Sequence, residues 1–313
     1  MGGAVAAGAR REWAIGWPVV LASAAGMSIA PVGTYTMGMF VAPLEAEFGW
    51  SRAFIATGLT VNAVIGVVFA AGVGALIDRM GPRRIAIPGI VIFCLCFGLL
   101  STATSSYVYW WTLWLGISIG ALMLKPTVWT WAVVSRFREA RGLALALALS
   151  GTAITAIVSP FLADYFIQNH GWRMAYAGLA AMYCAVMLPL VLLFFYGATD
   201  LKRTAGTSAA AEKAAPPPGL SVRQAFTSAV YWRIALGTFL VILTITGGVV
   251  HLVPILTHGG LDRGSAVAAA GAMGIAAFCG RLMAGVLLDR LNAKIVGGIA
   301  FLLPAGVALA LIA

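Results

Sequence analysis

The chain has 313 residues, 61% of them hydrophobic and only 10% charged. Soluble domains carry about 25% charged residues, so a single water-soluble core is excluded; a bundle of membrane-spanning helices, each of roughly 20 apolar residues, is expected instead. The net charge of +10 would suit a nucleic-acid binder, but the basic residues sit in short clusters between apolar runs, not on one polar face, and no nucleic-acid partner is implied.

Nine spans are expected in chain order, near residues 15–42, 53–77, 85–103, 107–134, 142–167, 174–196, 232–257, 264–288 and 295–313. The first follows Arg10 and Arg11 and so begins like a signal peptide. It runs past Met37 without a small-residue cleavage site and is read as a span. Cys94, Cys96, Cys184 and Cys279 all fall inside apolar runs and read as small core residues with no disulfide framework. The connections are short, apart from Gly197 to Tyr231, which holds TSAAAEKAAPPPG. That composition reads as a flexible linker with a stiff proline step. Six spans precede it and three follow.

The charges set an orientation. Of the twenty lysines and arginines, Arg52, Arg173 and Arg263 fall in the outer loops if the N-terminus is cytoplasmic. Lys125 and Arg281 fall inside spans, and the remaining fifteen lie on the inner side. Fifteen against three is a strong positive-inside bias, so the N-terminus and the linker are expected inside.

A repeat is also visible. GALIDRMGPRR (Gly74 to Arg84) follows span 2, and GVLLDRLNAK (Gly285 to Lys294) follows span 8. A single Asp-Arg at a helix end would be only a solvated cap. Two copies six spans apart imply two homologous halves joined by the linker.

GALIDRMGPRR resembles the loop 2–3 signature of the major facilitator superfamily, with Gly74, Asp78, Arg79, Gly81 and Arg83 in the matching places. Pro82 stands where a basic residue is common, and Asn292 replaces the glycine in the second copy. GTYTMGMFVAPLEAEFGWSRA, RFREARGLALALALSG, SPFLADYFIQNHGWR, HLVPILTHGGL and CGRLMAGVLLDR are similar to the monocarboxylate and oxalate/formate branch of that superfamily. The resemblance implies an all-α membrane protein with the superfamily's fold of two six-helix halves, of which about nine helices are present. The expected division is 1–196 as the N-terminal half, 197–231 as a cytoplasmic linker and 232–313 as a partial C-terminal half with helices 7–9. Members of the family have twelve helices and this chain stops at the end of the ninth, so a fragment or truncated gene product is expected.

Ten acidic residues are present. Glu12, Asp78, Glu139, Asp200, Glu212 and Asp289 fall on the cytoplasmic side, Glu45, Glu47 and Asp262 outside, and Asp164 near the outer end of span 5. None falls at mid-membrane. Proton-coupled exporters of cations usually need a buried acid, so cation export is disfavoured. The buried cations favour an anion. Arg281 lies roughly 25 Å into span 8 at 1.5 Å per residue, where an unpaired charge costs a few kcal/mol. Its planar fork matches a carboxylate bidentately. The alternative is a structural arginine held by backbone carbonyls or by an acid on another helix.

The resemblance implies that the helix 8 arginine binds the substrate carboxylate. Animal monocarboxylate transporters place an aspartate one turn earlier, where this chain has Ala277. Lys125, in GALMLKPTVWTW, either lines the cavity or snorkels to the inner surface, and Pro126 can kink the helix towards either outcome. His251 either carries a proton or hydrogen-bonds between helices. Tyr35 and Asn62 either donate to an anion or link helices. Trp110, Trp111, Trp114, Trp129 and Trp131 are expected to divide between interface anchoring and cavity lining. Asp78, Arg79, Arg83 and Arg84 are too exposed for cargo. The resemblance implies that the loop signature, with Asp289 and Arg290 in the second copy, forms a gating latch that biases two facing states.

The expected function is a secondary transporter of small organic anions, mono- or dicarboxylates, working by alternating access with protons or a counter-anion as coupling partner. The alternatives are a superfamily exporter of another substrate class, or a truncated membrane protein without transport activity. The sequence holds no metal-ligand cluster, nucleophile–base pair or phosphate-binding loop, so neither an enzyme nor a cofactor is implied. The alanine- and glycine-rich composition suggests a bacterial inner membrane.

Overall fold

A computed structural model describes residues 2–197, 222–260 and 263–312 of the chain. These form twelve α-helices and one short 3-10 turn, with no strand among the described residues. They are α1 (Gly2–Met27), α2 (Val32–Phe48), α3 (Arg52–Met80), α4 (Pro82–Leu99), α5 (Tyr107–Met123), α6 (Pro126–Val134), α7 (Arg141–Leu149), α8 (Gly151–Phe194), α9 (Val222–Thr227), α10 (Ala229–His258), α11 (Arg263–Arg290) and α12 (Ala293–Ile312).

Among the described residues, five stretches are long and apolar enough to cross a membrane: Gly8–Phe48, Arg52–Ile77, Pro82–Thr102, Tyr107–Val134 and Arg141–Phe194. The last has 54 residues, about 80 Å of helix, and it divides at Gly171, whose φ of 80° and ψ of 165° are not helical. It therefore accounts for the expected spans 5 and 6. α10, α11 and α12 occupy the expected spans 7, 8 and 9. The linker residues 198–221 and Asp262 lie outside the described residues.

Three expected spans are not continuous: span 5 is only nicked at Ser150, whose φ of −67° and ψ of −14° stay helical, whereas spans 1 and 4 break. Span 1 stops at Met27 and restarts at Val32, with Pro31 at the N-cap of α2. Ser28 closes the end of α1 by donating its hydroxyl to the Ala25 carbonyl at 2.6 Å. Span 4 stops at Met123 and restarts at Pro126. Proline lacks an N–H and drives the residue before it out of the α region, and Lys125 accordingly sits at φ −56°, ψ 151°. Apolar periodicity carries no sign of such breaks. The prolines do.

The core lies among α1–α8. Trp110, Trp114, Trp129 and Tyr176 are fully buried there, and Phe40 stacks on Tyr176 with ring centroids 3.7 Å apart. The expectation that the tryptophans line a cavity or anchor an interface fails for these three, which are packing residues. Trp111 is exposed and donates to the Thr57 hydroxyl at 2.9 Å. Cys279 is exposed, against the expectation of a core cysteine, whereas Cys94 is buried. In a bilayer an exposed apolar face meets lipid, so exposure is no defect.

The end of the bundle that carries Glu45 and Glu47 is tied by charge. Arg173 of α8 donates to the Glu47 carboxylate of α2 at 2.6 Å and to the carbonyls of Ser101 and Ala103 at 2.8 and 3.0 Å. Arg52 pairs with Glu45 at 3.1 Å. Gly49, at φ 68°, makes the left-handed turn that brings these ends together.

Candidate functional site

The two helix breaks meet in one place. A cavity of about 240 Å³ is lined by Met27, Ala30 and Pro31 at the first break and by Ala121, Leu124, Lys125 and Pro126 at the second. Asn62 of α3 and Thr152 of α8 complete it. The N-terminal ends of α2 and α6 both lie at this cavity, and such ends carry partial positive charge.

Lys125 is half-buried at the N-cap of α6. Its ammonium reaches α3 over Gly66, where an added Cβ would sit 2.9 Å from Nζ. Glycine is thus what lets the lysine lie along α3. The two ion pairs among the described residues are Arg52–Glu45 and Arg173–Glu47, so Lys125 has no carboxylate partner among them.

Arg281, half-buried on α11, donates from Nη1 to Thr152 Oγ1 at 2.8 Å. The Thr152 hydroxyl donates in turn to the Leu149 carbonyl at 3.0 Å. Its proton is committed to that carbonyl, so its lone pairs are free to accept from the guanidinium. Of the two readings of Arg281, a partner acid is absent among the described residues, and the contact made is to a hydroxyl on the cavity wall.

Of the remaining candidates, Asn62 lines the cavity and Tyr35 does not; Tyr35 is 41% exposed on α2. The side chain of His251, on α10, lies outside the described residues. Thr152 and Gly66 went unread in the sequence. The polar SGT step inside an apolar run was the available signal for Thr152. For Gly66 there was none.

The basic end of the bundle holds the second group of candidates. The Asp289 carboxylate accepts from the N–H of Gly142 and from the N–H of Leu143, the latter at 2.8 Å. These are the first free donors of α7, which α11 thereby caps. The helices approach closely because both contact residues are glycines. A Cβ on Gly285 would lie 2.5 Å from Ala146 Cβ and 2.8 Å from the Gly142 carbonyl oxygen.

The segment preceding α7 is held by Glu12 of α1. Its carboxylate accepts from the N–H groups of Arg138, Glu139 and Ala140 at 3.0–3.2 Å. Arg83 donates to the carbonyls of Leu192 and Phe195 at 2.7 and 2.9 Å and lies 3.8 Å over the Tyr196 ring. It caps the C-terminal end of α8, a favourable place for a cation. Gly81, at φ 84°, allows the turn from α3 into α4. Gly74 faces open space, Arg79 and Arg290 are exposed, and the side chain of Asp78 lies outside the described residues.

Comparison with known proteins adds to this geometry. The profile of the Major Facilitator Superfamily matches residues 8–313. The chain is similar to the riboflavin transporter RibJ of Trypanosoma brucei brucei, 31% identical over 134 residues, which is 42% of this chain and 24% of the relative. It is similar to monocarboxylate transporter 13 of Rattus norvegicus, 29% identical over 173 residues, 53% of this chain and 39% of the relative. It is similar to the agnestins efflux protein AgnL12 of Paecilomyces divaricatus, 23% identical over 251 residues, 79% of this chain and 52% of the relative. The chain thus spans between 24% and 52% of the length of these relatives.

Proposed function

Because the chain belongs to the major facilitator superfamily, a family of membrane transporters and not of enzymes, we propose that it forms part of a secondary transporter of small organic anions, mono- or dicarboxylates. One observation carries this reading. Arg281 reaches the Lys125 cavity through Thr152, and among the described residues neither cation has an acid partner. A carboxylate entering the cavity would compensate Lys125, which lines it, and could take over from Thr152 as the acceptor for Arg281. Similarity to a monocarboxylate transporter agrees with that chemistry.

In this reading residues 1–196 form one half, 197–231 a cytoplasmic linker and 232–313 part of the other half. The Asp289 contact with α7 is then a latch between halves, closed in this conformation, and opening it frees the basic end. The N-terminus and basic end face the cytoplasm of a cell, in keeping with the arginine distribution. External labelling of Ser208→Cys in intact cells, with the four native cysteines replaced, should therefore fail; ready labelling would reverse the orientation. Tyr35 and His251 remain ligand candidates in this reading, His251 with a proton-carrying role.

The test is carboxylate affinity in proteoliposomes made with the full-length protein. Arg281→Lys keeps the charge but loses the fork and should weaken binding. Arg281→Gln should nearly abolish it, since stranding one charged contact costs on the order of 2–5 kcal/mol. Near-normal affinity in Arg281→Gln would make the arginine structural. A second reading, an exporter of another substrate class, draws on the similarity to the efflux protein AgnL12; it would be favoured if no carboxylate in a labelled panel is moved.

A further inference from the structure

A second cavity, of about 350 Å³, lies at the basic end, separate from the one at the helix breaks. Gly8, Arg11, Glu12 and Ile15 line it from one face of α1, at the spacing that puts side chains on a single helix face. Gly16 and Arg136 complete it. Arg136 follows the end of α6, and its Nε is buried without a hydrogen-bond partner. Buried polar groups are nearly always satisfied, so an orphaned guanidinium nitrogen marks a place where an acceptor belongs.

Glu12 is not that acceptor. Its oxygens are taken by the N–H groups of Arg138, Glu139 and Ala140, and neither Arg11 nor Arg136 forms an ion pair among the described residues. Glu139 is the other acid nearby, with its Cγ 3.5 Å from where a Gly8 Cβ would stand; it is exposed and pairs with neither arginine. Two guanidiniums therefore share a concave site with their charge unmatched. On the same face of α1, Ile15 lines the cavity and is 61% exposed, an apolar side chain beside the two arginines.

We propose that this cavity binds a phosphate oxyanion, supplied by the headgroup of an anionic phospholipid. Guanidinium forks match phosphate oxygens in pairs, basic sites at a membrane surface recruit anionic headgroups, and the exposed Ile15 at the cavity edge suits the acyl chains. The bound phosphate would join α1 to the turn before α7, which Glu12 already holds.

The test uses the purified full chain in an uncharged detergent, with the thermal midpoint followed against added phosphatidylglycerol, phosphatidylcholine or inorganic phosphate. Phosphatidylglycerol should raise the midpoint saturably and phosphatidylcholine should not. Arg136→Gln should weaken the apparent phosphatidylglycerol affinity by about ten-fold, the equivalent of one lost contact. Lys294→Gln, removing an exposed charge at the start of α12, should leave it unchanged. Arg11→Gln lies on an exposed surface and should weaken binding in the same sense, so the test survives if Arg136→Gln fails to fold. A shift produced by inorganic phosphate alone, and lost in Arg136→Gln, would keep the oxyanion site and move its source to solution. Equal responses to phosphatidylglycerol in wild type, Arg11→Gln and Arg136→Gln would overturn the proposal.

Discussion

The two copies of the repeat, 74–79 at the end of α3 and 285–290 at the end of α11, share their glycine, aspartate and arginine. A Cβ on Gly285 would run into Ala146 and the Gly142 backbone, whereas one on Gly74 would meet nothing within 4 Å. The second copy caps α7, while no helix N-terminus among the described residues is pressed against Gly74. The difference teaches that this motif is only half of a contact. It becomes a cap when a helix begins with its own glycine at the right place, as α7 does with Gly142.

Substitutions at four positions would sharpen or break that comparison, read as thermal midpoints of the purified chain in detergent. Gly285→Val should have the largest effect, because the added carbons meet backbone that has little room to yield; overpacking of this kind costs about 1–3 kcal/mol. Gly74→Val, which meets nothing within 4 Å and replaces glycine by a better helix former, should move the midpoint by no more than about 0.5 kcal/mol. Equal effects at the two glycines would dissolve the contrast. Asp289→Asn comes next. It keeps the shape, but the single amide oxygen can serve only one of the two N–H groups that the carboxylate oxygens accept from, and the NH2 meets the other as a second donor, an expected loss of about 1–2 kcal/mol; Asp289→Ala should leave both amides unserved. A midpoint unmoved by either would show that the α7 donors are satisfied elsewhere. Thr152→Val removes both the acceptor for Arg281 and the donation to the Leu149 carbonyl, about 0.5–1.5 kcal/mol for each bond, with Thr152→Ser restoring them. A valine variant as stable as wild type would mean that Arg281 finds another acceptor.

Most of the helical order was legible because apolar runs of bilayer length leave few choices, and the span positions follow the expected ones. The breaks in spans 1 and 4 were written only in Pro31 and Pro126, and hydropathy alone reads straight through both. At the site, Arg281 and Lys125 announced themselves as charges in apolar surroundings, and Asn62 stands on the same cavity. Thr152, Gly66 and Glu12 were silent for a physical reason. A hydroxyl, a glycine and a side-chain carboxylate near the start of a helix are ordinary in those settings, and they gain a role only from a partner distant in sequence. Arg83 misled in the other direction, since its place in the loop signature hides its contact with the end of α8.

The cap on α7 also bears on how the molecule is made. Asp289 follows Gly142 by 147 residues, so at about 5–20 residues per second the ribosome needs roughly 7–30 seconds to supply it. During that interval the start of α7 is already synthesised, and its leading amides must be served by water, lipid or the insertion machinery. Assembly is thus ordered in time: the turn held by Glu12, synthesised earlier on α1, can settle first, and the contact through Asp289 closes only once α11 has entered the membrane.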